Sequence, residues 1–156
     1  PRVHGSPARL LVPGRYGVKS TKWIERIAVV PRDHESYWER RGWDERAVVN
    51  TLSYVRAVQR RGDSVAVGGV AYAGRRGIDR VEVSLDGGTT WREADLEAPV
   101  SPHAWRRFRA AFDRPDRAAY SVVVRATDGE GNRQTEERSD PHPGGATGWH
   151  SVSVSL

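Results

Sequence analysis

The chain has 156 residues, a mass of 17.4 kDa and a net charge of +5. That length holds one ordinary domain, or one domain with an appendage, and it needs no staples to fold. Cys is absent, which excludes disulfides, thiolate metal sites and a cysteine nucleophile together.

Met is absent too, and residue 1 is Pro, as expected of a processed chain or a piece of a longer one. No apolar run exceeds roughly five residues, against about 18 for a membrane-spanning helix. No membrane contact is therefore expected from this chain. The charge is uneven. Residues 1–62 carry a net +7 and residues 63–156 a net −2. Only two of the 25 basic residues are Lys, and they are Lys19 and Lys22. Such a pair suits a compact anion such as a phosphate; two solvated surface lysines are the plain alternative.

Residues 1–22 read as extended chain and turns, because Pro1, Pro7 and Pro13 break helices and Gly5, Gly14 and Gly17 offer turns. Within them residues 9–12 read as a short strand. Residues 22–30, rich in aromatic and β-branched types, read as a second strand that Pro31 stops. Residues 32–46 are dense in charge. They read as a connector that packs Tyr37, Trp38 and Trp43 on a neighbour, with room for a short helical turn. A domain boundary is expected here, with residues 1–46 before it and 47–156 after it.

From residue 47 the pattern changes to short alternating strands. The segments are 48–58, 64–72, 78–85, 90–96, 105–112, 119–126 and 149–156. In the first, Leu52, Tyr54, Arg56 and Val58 are expected on one side. Turn signals separate them at residues 61–63, 86–88 and 128–132. About seven alternating strands with turns every 8–12 residues predict a mainly β chain, an immunoglobulin-like antiparallel β-sandwich.

Residues 84–91 (SLDGGTTW) are a hairpin signature. Asp-Gly-Gly supplies positive φ, the Asp carboxylate accepts N–H bonds across the turn, and Trp91 covers it. A single copy of this Asp-box pattern reads as structure and not chemistry. The acidic turn 128–132 lacks the ligand spacing of a calcium loop. The five His residues, 4, 34, 103, 142 and 150, show no zinc spacing, so no metal ligands are assigned. No nucleophile elbow, phosphate loop or dinucleotide fingerprint occurs, and no catalytic residue is assigned. Arg106 points away from Arg107 and Arg109 on a strand, and the second part of the chain is acidic, so no nucleic-acid surface is read there.

The remaining motifs carry a resemblance. Residues 4–9 are H-G-S-P-A-R, Pro13-Gly14 follows, and residues 17–23 are G-V-K-S-T-K-W. Trp38 and Gly42 form a W-x-x-x-G. Residues 69–91 fit G-x-A-x-x-G-x-x-G-I-x-x-V-E-V-S-x-D-G-G-x-T-W. The first set resembles the end of the molybdopterin-binding α+β domain of the sulfite oxidase family. The second resembles the dimerisation domain that follows it. The resemblance covers essentially the whole chain.

It implies the C-terminal part of an oxidoreductase that moves an oxygen atom and two electrons on a small oxyanion such as sulfite. The cofactor implied is molybdenum-molybdopterin, held in the full-length enzyme. By motif position His4, Arg9, Ser20, Thr21 and Lys22 would touch it, while Lys19 stands where many members have Arg. The family ligates the metal through a Cys, absent here, so this chain alone is expected to lack the cofactor and to be inactive.

The implied partners are a second copy in a homodimer, the N-terminal catalytic domain of the same enzyme, and a c-type cytochrome as electron acceptor. Trp105, Phe108 and Phe112, on an Arg-bearing strand, have the composition of a dimer interface. The implied location is extracytoplasmic, periplasmic or at the cell surface. Anchored on Trp149-His150, a substrate-facing position that is Arg in sulfite oxidases and Met in nitrate reductases falls at His142. An imidazole is cationic only on the acid side of neutrality unless its surroundings hold the proton, so a dianion is served less well than by Arg. The rival reading is a non-catalytic immunoglobulin-like binding module with a flexible basic linker before residue 47. The rival predicts disorder there. The family reading predicts ordered strands with apolar surface left bare.

Overall fold

The computed structural model describes residues 1–31, 33–113 and 119–155. Eight strands form two antiparallel sheets. They are β1 (Leu52–Arg61), β2 (Ser64–Tyr72), β3 (Ile78–Ser84), β4 (Arg92–Glu93), β5 (Asp95–Leu96), β6 (Arg106–Asp113), β7 (Ala119–Asp128) and β8 (His150–Ser155). One sheet runs β1-β2-β6-β5 and the other β4-β3-β7-β8. This is the strand order of an immunoglobulin-like sandwich, as the spacing predicts.

Alternation explains which residues meet between the sheets. Val65, Val67 and Ala71 of β2 and Phe108 and Ala110 of β6 face inward from one sheet. Val81 and Val83 of β3 face them from the other, with Val122, Val124 and Ala126 of β7. Each fully buried Val contributes about 1.5–3 kcal/mol. Gly69 sits in this layer because nothing larger fits. A Cβ there would lie 2.1 Å from the Tyr54 carbonyl oxygen and 2.4 Å from the Phe108 ring.

The pattern departs from strict alternation twice. Register shifts between Val55 and Ala57, so Arg56 is a bulge. Ser53 and Val55 face inward before it and Val58 packs on the core after it, so Val58 does not share a side with Leu52 and Tyr54. Residues 90–96, expected as one strand, divide at buried Ala94. β4 pairs with β3 and β5 with β6, so the chain crosses from one sheet to the other.

The hairpin 84–91 is built as its composition predicts. Asp86 accepts the Thr90 N–H at 2.8 Å and the Thr90 hydroxyl at 2.7 Å, and the Ser84 hydroxyl donates to it at 2.7 Å. These bonds hold its carboxyl down at about 2. Trp91 packs edge-on against Trp149, and the Arg125 guanidinium lies 3.9 Å over Trp91 while pairing bidentately with Glu82.

The acidic turn after β7 is also structural. The Asp128 side chain is fully buried. It accepts Arg76 Nε at 2.7 Å, the Thr51 hydroxyl at 2.8 Å and the Asn132 N–H at 2.9 Å. Burial alone would raise its pKa, but these donors outweigh burial and hold it at about 2. Arg76 also donates to the Val49 carbonyl at 2.9 Å.

The described residues before 47 do not form the strands expected. Arg9 and Lys22 make a single antiparallel bridge in place of a strand at 9–12. Residues 25–30 lie in no strand, and Ile27 and Val29 are 84% and 102% exposed. The connector contains one 3-10 turn, Glu39–Arg41, with Tyr37, Trp38 and Trp43 stacked edge to face beside it. Trp43 packs onto His142, whereas Tyr37 and Trp38 stay largely exposed.

Three outcomes follow. Gly69→Ala should lower stability by more than about 3 kcal/mol in urea melts, because backbone and ring must both move. Asp128→Ala should cost about 3–5 kcal/mol by the same measurement, since it strands Arg76. Asp86 and Asp128 both have native pKa values below their usual 3.8. Their stabilisation is fully present above that value, and the urea midpoint should fall as pH drops from about 4 towards 2.

Candidate functional site

The motif residues 4–9 and 17–23 fold into one unit. A 3-10 turn, Arg2–His4, ends at Gly5, whose φ of +103° suits glycine. A Cβ on Gly5 would lie 3.1 Å from the Cβ atoms of both Arg9 and Lys22, so the two cations straddle it. The Leu10 N–H donates to the Thr21 carbonyl at 2.9 Å and the Ile24 N–H to the Ala8 carbonyl at 3.1 Å. Those bonds flank the Arg9–Lys22 bridge.

The Lys22-Trp23 pair latches the first turn. Lys22 Nζ donates to the Val3 carbonyl at 3.0 Å, and Trp23 Nε1 donates to the Arg2 carbonyl at 2.7 Å. Trp23 has φ +53°, an uncommon conformation for a bulky residue that costs about 1–2 kcal/mol. His4, Arg9 and Thr21 are exposed, and among the described residues the His4 ring and the Arg9 guanidinium have no hydrogen-bond partner. The Ser20 hydroxyl oxygen accepts the Val12 N–H at 3.4 Å.

The two lysines have different roles. Lys19 forms an ion pair with Glu39 in the 3-10 turn of the connector. With the Ser36 N–H, it holds the Glu39 carboxyl at about 2. Lys19 therefore ties two segments together, and only Lys22 stays near Arg9. Glu39 is a residue that sequence reading passes over, since one carboxylate in a charge-dense connector carries no distinguishing pattern.

His142 lies on the far side of that turn. Its Nε2 is 3.1 Å from the Arg41 carbonyl oxygen, and its ring meets Trp43 edge-on at 5.3 Å. The Asp44 N–H donates to the Pro143 carbonyl at 3.1 Å. The structure thus brings His142 to the connector, which Lys19 links to the motif unit. It does not bring His142 into contact with His4, Arg9 or Lys22.

Of the three aromatics expected at a dimer interface, two are internal. Phe108 is 1% exposed and Phe112 packs on the core. They share a face of β6 opposite to Trp105. Trp105 is 46% exposed and stacks on Tyr72 at 5.1 Å, with Tyr54 beside it at 6.1 Å.

Comparison with known proteins decides the family. The Mo-co oxidoreductase dimerisation domain matches residues 43–156, and the oxidoreductase molybdopterin binding domain matches residues 1–38. The chain belongs to the sulfite oxidase family. It is 32% identical to the mitochondrial sulfite oxidase of Homo sapiens, over 87% of this chain and 30% of that protein. It is 31% identical to the sulfite oxidase of Arabidopsis thaliana, over 99% of this chain and 48% of that one. The sulfane dehydrogenase SoxCD of Paracoccus pantotrophus has a similar structure, with a TM-score of 0.72, 29% identity, and coverage of 97% of this chain and 44% of that one. The chain thus spans less than half the length of these relatives. Membership of the sulfite oxidase family replaces the reading as a stand-alone binding module.

The Lys19–Glu39 ion pair is the joint between the motif unit and the connector. Glu39→Gln should loosen it, seen as faster amide exchange at residues 17–20 and 39–42. The sandwich strands should keep their protection.

Proposed function

We propose that the chain is the C-terminal part of a sulfite oxidase-type enzyme acting on a small oxyanion. Residues 1–46 supply one wall of the molybdopterin site and residues 47–156 supply the dimerisation sandwich. The observation that carries this reading is the pairing of Arg9 with Lys22 across Gly5. Two cations stand side by side on latched backbone, at the spacing of the family motif.

The residues present fit a phosphate-bearing pterin. Arg9 offers a free guanidinium fork, which suits bidentate phosphate binding. Lys22 offers an ammonium, His4 an unpartnered ring, and Thr21 an exposed hydroxyl. Ser20 offers its hydroxyl O–H as a donor, its oxygen accepting the Val12 N–H. With its molybdenum, the cofactor would supply the oxygen-atom and two-electron chemistry. This chain's residues would bind its phosphate and orient its pterin. The bare apolar side chains Leu11, Ile27 and Val29 would be covered by the catalytic domain of the same enzyme.

His142 would approach the substrate from the connector side. A permanent guanidinium serves a dianion better than an imidazole does, so the enzyme would favour another substrate over sulfite. For the dimer, the outer face of sheet β1-β2-β6-β5, with Tyr54, Tyr72 and Trp105, is the proposed contact. The electron acceptor that the family resemblance implies, a c-type cytochrome, is kept as part of this proposal.

Arg9→Ala or Lys22→Ala in the full-length enzyme should lower the molybdopterin released on denaturation, since each removes a charge-assisted bond of about 1.5–3 kcal/mol. Unchanged cofactor content in both would overturn the assignment. His142→Arg should raise kcat/KM for sulfite. Trp105→Glu should shift the sedimenting species towards monomer.

A further inference from the structure

A cavity of about 610 Å³ opens where the N-terminal segment meets the sandwich. Arg15, Arg46, Arg75 and Arg76 line it, with Asp44 and Glu130. Arg76 is committed to Asp128 and the Val49 carbonyl. Arg15 gives one guanidinium N–H to the Arg46 carbonyl at 2.6 Å and keeps its other donors. Arg46 and Arg75 are exposed. Among the described residues, Arg15, Arg46 and Arg75 form no ion pair, with Asp44, Glu130 or any other acid.

These three guanidiniums stand on fixed backbone. Arg15 bridges Val48, between the Tyr16 N–H to Ala47 carbonyl bond at 2.8 Å and the Val49 N–H to Gly14 carbonyl bond at 3.1 Å. Arg46 directly precedes that pairing. Arg75 rides on the 3-10 turn Gly74–Arg76, whose last residue Asp128 pins. Three guanidiniums with no ion-pair partner on one cleft raise the local potential. Guanidinium forks match the oxygen pairs of an oxyanion. The carboxylates Asp44 and Glu130 in the walls oppose a long polyanion and leave room for a compact one.

We propose that this cleft binds a small dianionic oxyanion through Arg15, Arg46 and Arg75, bridging the N-terminal segment to the sandwich. The site is distinct from the Arg9–Lys22 pair and does not rest on the molybdopterin reading. An anion held there binds the folded junction only, so it raises the melting temperature with saturation.

The test is calorimetric titration of the full chain with sodium sulfate at fixed ionic strength, with sodium acetate as the monoanion control. Melting temperature is followed in parallel. Saturable sulfate heat is expected, with acetate much weaker. Arg46→Ala and Arg75→Ala should each weaken sulfate by about tenfold. In the Arg46→Ala/Arg75→Ala double variant the saturable part of the thermal shift should vanish. The general stabilisation by sulfate, linear in concentration, should remain. No saturable heat, or equal binding of sulfate by the double variant, would overturn the proposal. The titration needs no molybdopterin, so its failure would leave the cofactor reading standing.

Discussion

A buried carboxylate must be paired, and in this chain one such pair fixes how the sandwich is entered at β1. Asp128 ends β7 with its side chain fully buried. Its two oxygens are taken by Arg76, Thr51 and Asn132. Arg76 in turn holds the Val49 carbonyl, and the Gly129 N–H returns to the Arg76 carbonyl at 3.1 Å. Three pieces therefore meet at one ion pair: the approach to β1, the turn before β3 and the turn after β7. Taking both charges out of water is costly unless the remaining donors and acceptors are also satisfied. Here they are, so the geometry is specified. The same satisfaction leaves Asp128 no free lone pair for a cation, which is why the acidic turn is a joint.

The sandwich was legible in the sequence because its signals are local and repeated. Alternation in residues 64–72 puts Val65 and Val67 on one face and in residues 78–85 puts Val81 and Val83 on one face, and both faces are buried. The Asp-Gly-Gly hairpin followed from turn chemistry alone. The errors lie where backbone leaves the period-two pattern. The bulge at Arg56 changes phase without any change in residue type. The crossing at Ala94 looks like an ordinary strand because both halves are extended. Composition groups Phe108 and Phe112 with Trp105, but alternation sets Trp105 on the opposite face, and the two phenylalanines pack inward.

The first 46 residues were legible as motif and illegible as structure. The turn chemistry of residues 4–9 and 17–23 is self-contained, and the latch from Lys22 and Trp23 closes it. Residues 22–30 are different. Their composition reports fit to a half-buried pleated surface, and β-propensity has no force without neighbouring strands to pack against. Among the described residues no strand lies beside this segment, and Ile27 and Val29 are exposed to solvent. The strand signal describes a half-buried surface that these residues do not find within the described chain. His142 was located by counting from Trp149, and counting cannot show that its ring rests on Trp43.

The basic excess of the first part divides into two kinds of cation. Lys19 neutralises Glu39, Arg40 donates to the Glu35 carbonyl at 2.5 Å, and Arg41 lies 3.5 Å over the Tyr37 ring. These serve the fold and would be kept by any sequence that needed the connector in place. Arg9, Arg15, Lys22 and Arg46 have no acidic partner among the described residues. Like charges left together oppose compaction. A fold that holds them on hydrogen-bonded backbone, instead of letting them disperse, accepts that repulsion without an internal gain. Solvent screens exposed charges of this kind, and a bound anion would neutralise them. Paired and unpaired cations look alike in the sequence, and they separate only when their partners can be seen.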